Sequence, residues 1–339
     1  MDVNRQDVGY EPGSPFFTII VPVFNAAATL ERCLDSIHAS SFRNWELIIV
    51  DDGSQDASPE IASRYTGQCV RFSDNRGPAH ARNHAARLAR GEILFFTDAD
   101  CILGPDTLAK IAEFFGQHPA TEALIGSYDD EPEATNFISQ FKNLLHHFIH
   151  QTSSESAGTF WTGCGAIRRR TFLTMGGFND QLYHRPSIED IELGHRLIAA
   201  GGNIHLAKQV QVKHLKTWTW FSLWKTDVFD RGIPWTKLLL KSKSFRADLN
   251  LQTQYRWSVG LVWGMIFTAS VSGIHVFFAV LLPPAILLLL LLNLKLYRFF
   301  VDKRGWGFAL KTVPLHWMYY FYNGIAFILG TASYLTKRL

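Results

Sequence analysis

The chain has 339 residues, enough for one large domain or two small ones. A formal net charge of +3 is too small to imply a nucleic-acid partner. Its four cysteines, Cys33, Cys69, Cys101 and Cys164, are widely spaced, match no metal pattern and read as free thiols of a reducing compartment.

Residues 1–15 form a polar tail without the apolar core of a signal peptide, so none is expected. Phe16 to Pro22 reads as a short apolar strand that ends in the turn Pro22-Val-Phe-Asn25. Leu30, Cys33, Leu34 and Ile37 recur at helical spacing within 26–40. A second strand, Trp45 to Val50, runs into Asp51-Asp-Gly-Ser54, and a helix from Pro59 to Tyr65 and a strand from Cys69 to Phe72 follow. Gly77 to Arg90 reads as a helix with an alanine face. Ile93 to Thr97 is apolar or β-branched throughout, as a fully covered parallel strand requires, and it ends in Asp98 and Asp100. A helix from Pro105 to Phe115 closes this half. The alternation implies an α/β fold with a parallel sheet, right-handed crossovers and helices on both faces.

Ligands of such sheets sit at the carboxyl ends of strands. Asn25, Asp52, Asp98 and Asp100 share that edge, and Arg82 and Asn83 reach it from the following helix. Two aspartates one residue apart suit a hard Mg²⁺ or Mn²⁺ ion, or else a helix-entry turn. Carboxylates, a cation site and an Arg together suit a nucleoside diphosphate. For Asp51 to Ser54 the alternative is a βα turn with a helix cap. The first turn lacks the Gly-rich dinucleotide fingerprint, which argues against an NAD-binding domain, and there is no Walker A loop.

Thr18-Ile-Ile-Val-Pro-Val-Phe-Asn25, Val50-Asp-Asp-Gly-Ser54, Asn75-Arg-Gly-Pro-Ala-His-Ala-Arg-Asn83 and Thr97-Asp-Ala-Asp100 resemble the family 2 glycosyltransferases of GT-A fold, over about residues 16 to 220. The resemblance implies a Rossmann-like mixed sheet, a nucleotide-sugar donor (most often a UDP-sugar) and Mg²⁺ or Mn²⁺. By the family pattern Pro22, Phe24 and Asp52 cradle the base, and Asn25, Gly77 and Arg82 belong to the same pocket. Asp98 would meet the ribose and Asp100 the metal.

Further on, 135–151 is amphipathic, and His146, His147 and His150 read as a solvated or interfacial face. Trp161-Thr-Gly163-Cys164-Gly165 resembles the small-residue turn under the donor and acceptor sugars, the alternative being an ordinary strand turn. Arg168 to Arg170 is a basic run for phosphate, lipid headgroups or solvent. Glu189-Asp190 matches the family pair whose second acid is the general base. Ser187 with Asp190 also fits a helix capping box. Ile204 to Leu206 and Val210 to His214 read as two short strands. His214 stands where many relatives supply a metal-ligating imidazole, so with Asp100 it completes the expected metal set.

From 216 to 256 the chain is rich in Trp beside Lys, which suits helices lying in the headgroup layer. Arg231 and Trp235 resemble the Arg-Trp element that processive relatives place beside the acceptor. The full Gln-x-x-Arg-Trp signature is missing, which argues against a polymer-extruding synthase. Ser258 to Leu292 holds no Asp, Glu, Lys or Arg, and 313–335 none either. The expectation is two to three spans within 257–339, at about 258–273, 275–292 and 313–335, against the alternative of buried core helices. Lys237, Lys241, Lys243, Arg246 and Arg256 precede the first span, and Lys295, Arg298, Lys303 and Arg304 follow the second. By the positive-inside rule both sets, and with them the catalytic domain, lie in the cytoplasm of a multi-pass inner-membrane protein. A third span would put Leu339 outside, against which Lys337 and Arg338 argue.

The expected function is inverting sugar transfer to a hydroxyl of a lipid or lipid-linked glycan in cell-envelope glycan or glycolipid synthesis, with Asp190 as base. A polyprenyl-phosphate acceptor, already ionised, would need no base. Asp98-Ala-Asp-Cys-Ile102 also departs from the Asp-Ala-Asp-Leu-Gln of enzymes that use such phosphates. That acceptor is one alternative, and a catalytically silent, membrane-bound nucleotide-sugar binder is another.

Overall fold

The structure, a computed structural model, describes residues 13–65, 68–243 and 249–336. Most of the N-terminal tail, Arg246, Lys337 and Arg338 lie outside the described residues. The chain forms two compact units. The first is Met1–Gly126, Thr159–His184 and Glu189–His205, and the second is Ser127–Gly158, Arg185–Ile188 and Leu206–Leu339.

The elements of the first unit begin with β1 (Phe17–Val23), α1 (Leu30–His38), β2 (Trp45–Asp51), α2 (Ser58–Ala62) and β3 (Cys69–Arg71). Then come α3 (Pro78–Leu88), β4 (Ile93–Thr97), β5 (Cys101–Leu103), α4 (Thr107–Gln117) and β6 (Ala123–Tyr128), whose last two residues belong to the second unit. The second unit continues with α5 (Phe137–Thr152) and β7 (Ser156–Ala157). The chain returns to the first unit for β8 (Cys164–Arg168), α6 (Arg169–Thr174) and α7 (Glu189–Ala199). β9 (Ile204–His214) passes from the first unit into the second.

In the first unit the strands run in the order β3-β2-β1-β4-β8-β6. β1 pairs in parallel with β2 and β4, and β2 with β3. β8 then runs antiparallel to both β4 and β6, so the sheet is mixed rather than purely parallel. Phe17, Ile19, Ile20 and Val21 of β1 and all of β4 are fully buried, as strands covered on both faces must be. Ala79, Ala81, Ala85 and Ala86 give α3 a small, buried face. Pro78 opens that helix, where its missing N–H costs nothing.

The remaining elements of the second unit are helical: α8 (Trp220–Lys225), a π-helical turn over Thr226–Gly232, α9 (Ile233–Ser242), α10 (Thr253–Ser272), α11 (Leu282–Leu292) and α12 (Leu294–Thr336). Three expectations are corrected here. Ile204 to His214 is one strand, not two, and Leu206 N–H donates to Glu155 C=O beside β7. His147 and His150 are buried rather than a solvated face. His146 and His150 stack at 4.1 Å, and the His147 ring lies on Phe299, because α5 is packed on the side that the amphipathic pattern leaves polar. Trp218, expected at the interface, is also buried.

Among the described residues no single helix is long and apolar enough to cross a membrane. The pair Val276–Leu292 and Leu294–Thr336, bent by 61°, has the length and composition to do so together. Gly305 (φ +81°) breaks α12, and Val276–Leu281 is a 3-10 turn ahead of the prolines that open α11.

Candidate active site

The turn after β1 is laced to the loop after β2. Asn25, at φ +48°, donates its N–H to Ser54 Oγ (2.9 Å) and accepts from Gln55 N–H (2.9 Å) on Oδ1. Ala26 N–H reaches Ser58 Oγ and Ala27 N–H reaches Asp56 Oδ2. This bracing holds the end of β1 with Pro22 half-buried and Phe24 exposed.

Asp51 is fully buried, with Ser54 N–H on one oxygen and Arg71 Nε 3.1 Å from the other. Asp52 accepts Arg76 N–H (2.9 Å) and Gly77 N–H (2.8 Å), one on each oxygen. Burial raises the Asp52 pKa above the usual carboxylate value, although those two N–H groups pull it down. Gly77 sits at φ +91° and ψ 157°, a region open almost only to glycine, and a Cβ there would meet His184 O at 2.3 Å.

Arg82, on α3, is 4% exposed. One terminal nitrogen donates to Asp98 Oδ1 (2.7 Å), the other to Glu189 Oε1 (3.0 Å), and the guanidinium lies over Phe178. Burial works against its charge, yet Asp98, Glu189 and Asp190 outweigh it and raise its pKa. Asp98 and Asp100 stand half-exposed beyond β4. Beneath them Cys33 Sγ donates to Asp98 C=O (3.5 Å), and Cys101 Sγ lies 3.9 Å from Asp100 Oδ1. Burial and the two aspartates push both thiols up.

Asp190 lies in the first turn of α7. Its Oδ2 accepts from Thr162 N–H (3.2 Å) and Oγ1 (3.4 Å), and its Oδ1 accepts from Ile191 N–H (2.8 Å). The Trp161–Gly165 stretch therefore cradles the acid. Its glycines are sterically required: a Cβ on Gly163 would strike the Trp161 ring at 2.5 Å, and one on Gly165 the Trp161 carbonyl at 2.3 Å. Cys164 is buried opposite Thr97, and burial pushes its thiol up to about 12 against a Gly126 N–H. Arg168 is spent on Glu92 and the carbonyls of Thr121 and Pro119.

The other expected site residues belong to the second unit. His214 is buried, with Nδ1 3.0 Å from Asn143 Oδ1 and its ring stacked on Tyr128 at 4.2 Å. Arg231 is exposed on the π-helical turn, and Trp235 is half-buried in α9. Ser187 Oγ donates to Asp230 C=O at 2.5 Å. On the same turn Asp227 accepts Lys142 Nζ (2.6 Å) and Tyr322 Oη (2.8 Å). Burial lowers the Lys142 pKa, with Asp227 opposing it.

The model of glycosyl transferase family 2 matches residues 18–175. A PGL/p-HBAD biosynthesis glycosyltransferase of Mycobacterium bovis is 35% identical over 187 residues, which cover 52% of this chain and 72% of that protein. The chain belongs to glycosyl transferase family 2. The validoxylamine A glucosyltransferase of Streptomyces hygroscopicus is 25% identical over 242 residues, 60% of this chain and 57% of that one. Among solved structures, a Pyrobaculum calidifontis mannosyltransferase in complex with GDP-Man and Mn²⁺ shares the fold. Its TM-score is 0.56 at 18% identity, over 98% of this chain and 91% of that one. S. aureus TarS 1-349 with UDP-GlcNAc reaches 0.50 at 19% identity, over 67% and 65%.

The family match takes in Asp52, Arg82, Asp98, Asp100 and the Trp161–Gly165 turn, and it ends before Glu189 and Asp190. Sequence reasoning missed three contacts. Thr162 was legible only as part of its turn. The Arg82–Glu189 pair spans 107 positions, and the Lys142–Asp227 pair 85, with no local signal for either.

Proposed function

We propose that this family 2 glycosyltransferase is a metal-dependent, inverting enzyme. It moves a sugar from a nucleotide-sugar, in the first instance a UDP-sugar, to a hydroxyl of a lipid or lipid-linked glycan at the cytoplasmic face of a membrane. The observation that carries this reading is the convergence of Asp98, Arg82, Glu189 and Asp190 in the first unit.

Phe24 offers an exposed ring for a base, and Asp52 holds the Arg76–Gly77 turn beside the same strand ends. Asp98 keeps about a third of its side chain open to a ribose hydroxyl while Arg82 fixes one oxygen. Asp190, in the first turn of a helix and contacted by three hydrogen-bond donors, accepts the proton of an acceptor hydroxyl. The hydroxyl oxygen then attacks the anomeric carbon from the face opposite the leaving diphosphate, and the anomeric configuration inverts.

The donor set fits a hard cation that arrives with its substrate. Among the described residues no three His, Cys, Asp or Glu side chains gather as a cage. A Mg²⁺ or Mn²⁺ ion takes one or two carboxylates and completes its shell with phosphate oxygens and water. Asp100, half-exposed beside Asp98, would hold it. When bound, such an ion neutralises charge on the departing diphosphate.

Support for a membrane acceptor comes from the second unit and from the relatives. Ile274, Val276 and Phe277 are each about four-fifths exposed, and Phe267, Trp306 and Leu310 are also open. In water this apolar surface would forgo roughly 1.5–3 kcal/mol per large side chain relative to burial. Lipid removes that penalty. Gly324 against Trp263 and Gly330 against Thr236 bring helices close through small residues, a feature of packing in lipid. The PGL/p-HBAD biosynthesis relative supports a glycolipid product, and the neighbours' donors support a nucleotide-sugar.

The test uses purified protein in vesicles of mixed bacterial lipids with Mn²⁺ and a panel of nucleotide-sugars, the extracted lipids being weighed by mass spectrometry. The expected product is a lipid one sugar heavier, glycosidically linked at a hydroxyl with inverted configuration. A sugar linked to phosphate would replace this acceptor with a polyprenyl phosphate. Nucleotide binding without product from any donor would reduce the chain to a binder.

A further inference from the structure

Within the site just proposed, Arg82 is placed unlike a phosphate ligand. Both terminal nitrogens already bond carboxylates, and the guanidinium is buried. One cation against Asp98 and Glu189 leaves a local charge of −1 before Asp190 is counted, so Arg82 has no surplus positive charge of its own to offer a donor diphosphate.

The arrangement of α7 shows what Arg82 does instead. The middle of that helix is pressed on the backbone, since a Cβ on Gly194 would meet Phe160 N at 2.2 Å. Arg196, in its last turn, bonds the carbonyls of Met175 (2.5 Å) and Gly177 (2.7 Å), and its guanidinium is braced by Glu192. In the first turn Thr162 bonds Asp190, and Arg82 bonds Glu189. Arg82 also bonds Asp98 just beyond the carboxyl end of β4, while the turn that carries Thr162 is bonded to Thr97, the last residue of that strand.

We propose that Arg82 and Glu189 form a positioning couple. It locks the first turn of α7, and so the Asp190 carboxylate, to the nucleotide-binding end of β4, and Arg82 does not bind the donor phosphates. This rests on the reading of Asp190 as the base. Glu189 acts through Arg82 and touches neither the donor nor the transferred proton.

The experiment compares Glu189→Gln, Arg82→Lys, the double variant and Asp190→Asn in the full chain in lipid vesicles. It measures kcat, the donor KM and the nucleoside diphosphate Kd. Gln keeps the size of Glu189 and an acceptor oxygen but loses the ion pair with Arg82, and Lys cannot bond both carboxylates as a fork does. Loss of such an orienting contact lowers kcat by about 10–100-fold. That loss is expected in both single variants, with donor KM and nucleotide Kd within about 3-fold of wild type. The double variant should be no slower than the slower single variant, since the two residues act as one unit.

A donor KM and nucleotide Kd raised about tenfold by Arg82→Lys, beside a Glu189→Gln variant of normal kcat, would overturn the couple and return Arg82 to the phosphates. Should Arg82→Lys fail to fold, the isosteric Glu189→Gln decides alone: normal kcat overturns the couple. Asp190→Asn separates the two readings. If it is inactive and Glu189→Gln is normal, the couple alone fails. If Asp190→Asn turns over normally, the base fails and the couple loses its purpose with it.

Discussion

Each unit contains a cation paired with a buried carboxylate, and the two clusters differ in what they leave open. In the first unit Arg82 joins Glu189, which is buried, to Asp98, which is about a third exposed. In the second, Lys142 meets Asp227, whose other oxygen is taken by Tyr322, and both partners are buried. The first cluster keeps carboxylate oxygen available to a ligand. The second is closed on itself and pins the π-helical turn to α5 and α12. A buried charge by itself therefore does not mark a site. A buried charge that holds a half-open one in place does.

The sharpest way to break this contrast is to remove one partner of the closed pair. Asp227→Leu leaves the largely covered Lys142 without its carboxylate, and thermal unfolding in lipid should show a loss of about 3 kcal/mol. Lys142→Met combined with Asp227→Leu should recover most of that loss, since an apolar pair of similar volume needs no desolvation. A single variant as stable as wild type would show that the turn is held by something else.

A smaller effect belongs to the backbone of the first unit. Gly77→Ala forces a side chain into a glycine-only conformation and against His184 O, and should cost about 1–3 kcal/mol. It should also weaken nucleotide binding, because Gly77 N–H is one of the two donors that orient Asp52. Gly116→Ala, in the last turn of α4 with open space around it, is the control and should be neutral or stabilising by up to about 1 kcal/mol.

The smallest effect is in pH. Burial opposes ionisation of Glu46, but hydrogen bonds from Thr18 and Arg90 overcome it and lower its pKa. A folded value below the unfolded one means stability present above the unfolded value and lost as pH falls through the folded one. Glu46→Gln should therefore cost about 1 kcal/mol at neutral pH. The gap to wild type in melting temperature should close on acidification below the usual carboxylate range. A constant gap would mean that Glu46 matters for packing rather than charge.

The legible part of the molecule was the part written in consecutive residues. β4 appears in the structure with its expected bounds, and β1 and β2 within a residue, because a covered strand declares itself by composition and ends at its polar residues. Asp52, Asp98 and Asp100 were visible as strand-end acids for the same reason. The antiparallel β8 was not, since nothing in Cys164 to Arg168 states its partner or direction. The bond from Gln55 N–H to Asn25 Oδ1, which ties the turn after β1 to the loop after β2 across 30 positions, has no local signal in the sequence. In the second unit, periodicity reported that α5 is amphipathic and misread its polar side. Histidines can stack on one another and on aromatic rings, and a polar pattern cannot distinguish that from solvent.

The central claim is that Asp190 takes a proton from an acceptor hydroxyl. Its most direct test is the initial rate of sugar transfer by Asp190→Asn to the hydroxyl acceptor that the lipid screen identifies, beside the affinity of the same protein for nucleoside diphosphate. The prediction is a fall in kcat of about 10²–10⁴-fold with nucleotide affinity unchanged, since Asn keeps the contact with Thr162 but cannot accept the proton. Transfer at the wild-type rate would contradict it, and the proton would then have to leave by another group.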